Sequence, residues 1–215
     1  MPDLHRIKRE LGELLSRPQY SNLFSRRNQF SNKPAATPAS LAAETTDLIM
    51  RNNPFVDPVE VLELMGGGLQ LYRAYDGVSH QTALTLGRSW MERSVVETVW
   101  SATERWSGQE RERLFMEFLQ SANFIHPQWN KMTEIACMEV WAGSRVVVIR
   151  GRGNWRAMRS QPGKPLTPNV TSPEDVIDLL RMVPIQGTFQ CIVPLYNDMW
   201  VRGVPRGSAH WPLLT

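Results

Sequence analysis

The chain has 215 residues, 42% of them hydrophobic and 21% charged, which is enough for one sizeable domain with an appendage and short for two. Its formal charge of +3 sits at the front: up to residue 33, Arg6, Lys8, Arg9, Arg17, Arg26, Arg27 and Lys33 stand against Asp3, Glu10 and Glu13, while the remainder holds 17 basic and 18 acidic residues. An electrically balanced body argues against a protein that binds nucleic acid over its whole surface.

No apolar run approaches the ~20 residues of a bilayer span, and the N-terminus has no apolar stretch of the kind a Sec signal needs. Cys137 and Cys191 each lie in an apolar run without a neighbouring histidine, so neither a disulfide framework nor a zinc spacing is present and both are expected as buried free thiols. The expected setting is cytoplasmic, or export without a Sec signal into a host cell, with no membrane partner and no metal.

Leu4, Ile7, Leu11, Leu14 and Leu15 recur at helical spacing and predict an amphipathic helix over 3–16, ended by Pro18. Residues 17–40 are rich in Ser, Asn, Pro and Arg. Residues 1–40 are therefore expected to be a basic, largely disordered arm before a domain over 41–215; a basic tail tied onto the domain surface is the alternative. Ser40 is placed to cap a helix through about Asn52. Asp57-Pro58 has the form of an N-cap and first-turn proline and predicts a helix over Val59–Met65, stopped by Gly66-Gly67-Gly68. Leu69–Tyr75 alternates as a strand, residues 76–88 read as a loop, and helices are expected at 89–106 and 108–122. Glu134–Trp141 and Arg145–Arg150 flank Ala142-Gly143-Ser144 and read as paired strands across a turn. A Gly- and Pro-rich loop to Val170, a helix from Ser172-Pro173 to about Arg181, and strands over Thr188–Leu195 and Met199–Val204 complete the chain. Helices first and strands later give the class α+β.

The chain has no Gly-x-x-x-x-Gly-Lys-Ser loop and no Gly-x-Ser-x-Gly elbow, and Gly66–Gly68 precedes a strand where a dinucleotide fingerprint follows one. His80 has no neighbouring partner and reads as a surface histidine. Arg73 lies in the middle of an apolar strand, where its charge calls for an anionic partner. Its planar fork suits a phosphate or carboxylate; an arginine turned to solvent is the alternative of equal weight. Arg145, Arg150, Arg152, Arg156 and Arg159, around Trp155, suit a nucleic-acid strand, a pyrophosphate or a solvated loop. Trp100 and Trp106 fall at core spacing.

About sixteen residues after Arg73 comes Gly87-Arg88-Ser89-Trp90-Met91, and Thr188-Phe189-Gln190 leads into Cys191-Ile192-Val193. This order resembles the mono-ADP-ribosyltransferase family of bacterial toxins and effectors. In that family a Tyr/Phe-Arg strand, a Ser-Thr-Ser or Ser-Trp-Thr segment, and a Glu-x-Glu or Gln-x-Glu before a late strand follow one another.

The resemblance covers about residues 69–204. It implies a split β-sheet core, NAD as substrate, and transfer of ADP-ribose to a side chain of a protein target. It also implies that Arg73 holds NAD phosphate and ribose oxygens beside Tyr72, that Ser89 braces the nicotinamide pocket with Trp90 packed next to it, and that Thr188 stands where the family recognises its acceptor. Gln190 falls at the catalytic glutamate. Met91 and Thr188 also depart from the family pattern. A glutamine there hydrogen-bonds but carries no charge, and charge stabilisation of this kind is worth ~10²–10³ in rate. Glu139 and Asp198 are the nearest strand carboxylates to stand in, or simply solvated charges. The rival expectations are a non-catalytic binding module (a pseudoenzyme) on the same fold and a nucleic-acid-associated protein acting through residues 1–33.

Overall fold

The computed structural model describes residues 2–29, 35–52, 54–75, 88–122, 134–153 and 189–204. Asp3 caps α1 (Leu4–Leu15) by accepting from the Arg6 N–H at 3.0 Å. The apolar stripe of α1 is used in full, since Ile7, Leu11 and Leu15 are buried on one face. A 3-10 turn (Pro18–Tyr20) leads into α2 (Ser21–Gln29), and α3 (Pro38–Asn52) packs Leu41, Ala42 and Ile49 into the same cluster. Thr45 and Thr46, buried within α3, satisfy their hydroxyls by donating to the carbonyls of Leu41 and Ala42 one turn back.

The expected disordered arm is thus corrected over residues 2–29, which are helical and packed. Residues 30–34 lie outside the described residues. Four of the seven basic residues expected to make the arm cationic are drawn into ion pairs: Arg6 with Glu10, Arg17 with Glu63, Arg26 with Asp198 and Arg27 with Glu44. Glu63, with a side chain only 10% exposed, accepts from Arg145 at 2.6 Å, Tyr20 at 2.8 Å, Gln19 at 2.9 Å and Arg17 at 3.2 Å. Burial works to raise its carboxyl pKa, but these bonds outweigh it and hold the group below the usual carboxylate value.

Seven described strands form one antiparallel sheet: β1 (Phe55–Met65), β2 (Gln70–Tyr75), β3 (Ser89–Glu92), β4 (Glu134–Glu139), β5 (Arg145–Gly153), β6 (Phe189–Ile192) and β7 (Val201–Val204), in the order β1-β5-β6-β3-β2-β4-β7. Three expectations are corrected here. The helix expected over Val59–Met65 is strand β1, and Asp57-Pro58 falls in the register shift between Val56 and Val59, where a residue without an N–H is tolerated. The first four residues of the helix expected from 89 are strand β3, and the helix itself, α4 (Arg93–Ala102), begins after them. Finally, β4 and β5 are joined by a tight turn yet do not pair; β4 pairs with β2 and β7, and β5 with β1 and β6. The helix expected at 108–122 is α5 (Gly108–Ala122), while the one expected from Ser172 lies outside the described residues.

β1 and β2 run in the same direction and stand four strands apart, yet only residues 66–69 join them. A flat sheet would separate them by about 19 Å at ~4.8 Å per strand, with the end of one at the wrong end of the other. The sheet therefore folds across itself. The link is fastened to the β4–β5 turn by Gly66 N–H to Ser144 O (2.8 Å), Gly67 N–H to Val140 O (3.0 Å) and Val140 N–H to Leu69 O (3.1 Å). Between the folded halves lies an inner cluster of Leu71, Trp90, Met138, Val146, Val148 and Cys191. The outer face of β1-β5-β6 (Val59, Val147, Ile149, Ile192) is covered by α1–α3. That of β3-β2-β4 (Met91, Tyr72, Ala74, Cys137, Ile135) is covered by α4 and α5, where Trp100 and Trp106 stack edge-on against Phe115 and Phe118. Cys137 and Cys191 are buried free thiols in different clusters.

Candidate functional site

The three segments that carry the family resemblance lie on three adjacent strands. β3 pairs with β2 on one side (Tyr72 opposite Met91) and with β6 on the other (Met91 opposite Gln190, Trp90 opposite Cys191). Residues directly paired across a sheet share a face, and the face alternates along each strand. Arg73, two residues from Leu71, therefore lies on the inner side with Trp90 and Cys191. Gln190 lies on the outer side with Met91 and Tyr72. Ser89, exposed and opposite Ile192, also belongs to the outer side. Thr188 lies outside the described residues.

Each side chain has a physical setting. Tyr72 is buried under α4 and α5, its hydroxyl 3.1 Å from Gln70 Oε1, and burial pushes its phenol up to about 12. Trp90 is 1% exposed, with Tyr196 edge-on at 5.7 Å. Arg73 is half-buried, and burial lowers its guanidinium pKa against the opposing pull of Tyr196. Burial pushes the Tyr196 phenol up to about 12, against the charges of Arg73, Arg88 and Arg27. The Asp198 carboxylate acts in the opposite sense to these three arginines.

Two acidic groups on the inner face escaped the sequence reading. Glu92 is opposite Leu71, so it shares the face of Arg73, and its Oε1 is 2.7 Å from Arg150 Nε. Glu60 lies 3.8 Å from the same arginine. The signal for Glu92 was present in the alternation of Trp90, Met91 and Glu92, had that segment been read as a strand. By contrast, Glu139 and Asp198 are both about half exposed and paired with Arg202 and Arg26. The arginine-rich segment is not one patch: Arg145 binds Glu63 on the outer side and Arg150 binds Glu92 on the inner side. Arg156 and Arg159 lie outside the described residues, as does His80.

Among the described residues no group of His, Cys, Asp or Glu is arranged to hold a metal, and no helix is long and apolar enough to cross a membrane. What is defined is a mixed α+β protein on a folded antiparallel sheet, with Arg73 and Arg150 on its inner face. No family model matches the chain, no curated protein matches it, and no solved structure matches it.

Proposed function

We propose that this chain is an ADP-ribosyltransferase-like protein of the toxin or effector type, which binds NAD at the inner face around Arg73 and transfers ADP-ribose to a protein side chain. The observation that carries this reading is the adjacency of β2, β3 and β6, because segments as distant in sequence as Arg73 and Gln190 meet in neighbouring strands. Arg73 supplies a half-buried cation for the anionic part of the dinucleotide. Departure of nicotinamide leaves an oxocarbenium-like centre that calls for a nearby carboxylate. Gln190 is uncharged and shares the opposite face with Met91, so Glu92 is the carboxylate assigned to that role.

Nicotinamide release from NAD tests the assignment. Slow release by the wild-type chain should fall ~10²–10³-fold in Glu92→Gln and stay unchanged in Gln190→Glu. Release that rises in Gln190→Glu while Glu92→Gln has no effect would return the catalytic position to residue 190. A second reading, a non-catalytic module on the same fold, is favoured by the pairing of Glu92 with Arg150 at 2.7 Å, which already engages the carboxylate. Bound NAD without release in any of the three proteins would select it.

A further inference from the structure

The N-terminal helices bring a second set of charges up to the start of β3 and the loop that carries Tyr196. Arg88, directly before β3, donates to Glu44 Oε1 of α3 at 2.7 Å, and Arg27 of α2 donates to the other oxygen, Oε2, at 3.4 Å. One carboxylate thus answers two guanidiniums, whose side chains are only 16% and 31% exposed, while that of Glu44 is 49% exposed. The two arginines stand close enough to oppose each other: burial first, and then the Arg88 charge, holds Arg27 below the usual guanidinium value. Arg27 is also fixed by a bond to Pro194 O at 3.3 Å, in the loop that carries Tyr196.

We propose that Arg27 and Arg88 form a phosphoryl-binding subsite in which the Glu44 carboxylate is the intramolecular stand-in that a phosphorylated small molecule displaces. The oxygens of a carboxylate and of a phosphoryl group are spaced alike, and the arginine fork accepts either, but the phosphoryl group brings more charge. Glu44 gives way readily because a half-exposed carboxylate regains water when it swings out. The motif resemblance gives no role to either arginine. The subsite also makes α2 and α3 part of ligand binding instead of packing alone, and it stands apart from the NAD reading.

Calorimetric titration of the full chain with inorganic pyrophosphate and with ADP, at low ionic strength, tests the subsite. Both ligands should bind the wild-type chain. Glu44→Gln should tighten them about five- to tenfold, and Arg27→Gln and Arg88→Gln should each weaken them about tenfold or more. Arg113→Gln, an exposed arginine on α5, should change nothing. A gain in Glu44→Gln cannot arise from misfolding, which keeps the test sound even if an arginine variant is unstable. Absence of pyrophosphate binding, unchanged or weaker binding in Glu44→Gln, or an equal loss in Arg113→Gln overturns the subsite. Titration with NAD separates the two proposals: pyrophosphate binding without NAD binding sinks the transferase reading alone, whereas NAD binding without pyrophosphate binding sinks the subsite alone.

Discussion

A chain lacking residues 2–29 will not fold cooperatively. Ile7 and Leu11 are 0% exposed and Leu15 and Tyr20 are 1% exposed, all in the cluster that covers Val59, Val147, Ile149 and Ile192 on the sheet. Truncating one buried aliphatic side chain to alanine costs about 2–5 kcal/mol. Losing several at once exceeds the whole stability of a typical domain, about 5–15 kcal/mol. The deletion also removes Tyr20, Gln19 and Arg17 from Glu63, leaving a nearly buried carboxylate with fewer donors. The expected product is insoluble, or soluble with exposed apolar surface and no sharp thermal transition. The single change Leu11→Ala should lower stability by about 2–5 kcal/mol in urea unfolding. A soluble truncated protein with a cooperative transition close to that of the full chain would show that these helices are an appendage after all.

Gly66→Ala should be the most damaging alanine substitution in the connections. A Cβ at this position would lie 2.0 Å from Trp141 O and 2.7 Å from Val140 O, both backbone atoms. Val140 O cannot retreat without releasing the Gly67 N–H that fastens the β1–β2 link, nor Trp141 O without releasing the Ser144 N–H that closes the β4–β5 turn. Overpacking of this kind costs about 1–3 kcal/mol and more where the neighbour is fixed, so a loss of about 3 kcal/mol or more is expected. Gly12→Ala is the internal contrast. That glycine lies within α1, the nearest atom to its Cβ would be Ala42 Cβ at 3.9 Å, and replacing glycine in a helix interior stabilises by about 0.5–1 kcal/mol. Thermal unfolding of the two variants side by side should give shifts of opposite sign. Equal small shifts would mean that the fastening is loose.

The sequence made α5 legible because its pattern is long, periodic and free of breakers. It misread β1, because Asp57-Pro58 imitates a helix start and because Val59, Val61, Leu62 and Leu64 meet apolar partners on both faces of the strand. With both sides covered, the period-2 alternation that announces a strand disappears. β3 was lost for the same reason, since Trp90 and Met91 are buried on opposite faces. The tight turn at 141–144 was read correctly in place but not in topology: a turn reports a reversal, not which strands pair. Of the candidate residues, Arg73, Ser89 and Gln190 could be singled out from motif order alone. Their faces could not, because a face depends on register, and register was fixed only by strands far apart in sequence. Glu44, Arg27 and Tyr196 come from three separate elements, and nothing in their local sequence joins them.

Titration of NAD into the wild-type chain and into Arg73→Ala tests the central claim most directly. Binding in the micromolar to millimolar range by the wild-type chain, lost by tenfold or more in Arg73→Ala while the unfolding temperature is kept, is the result expected for a half-buried cation that holds the dinucleotide. No heat of binding from the wild-type chain at millimolar NAD, or equal binding by both proteins, would contradict an NAD site around Arg73.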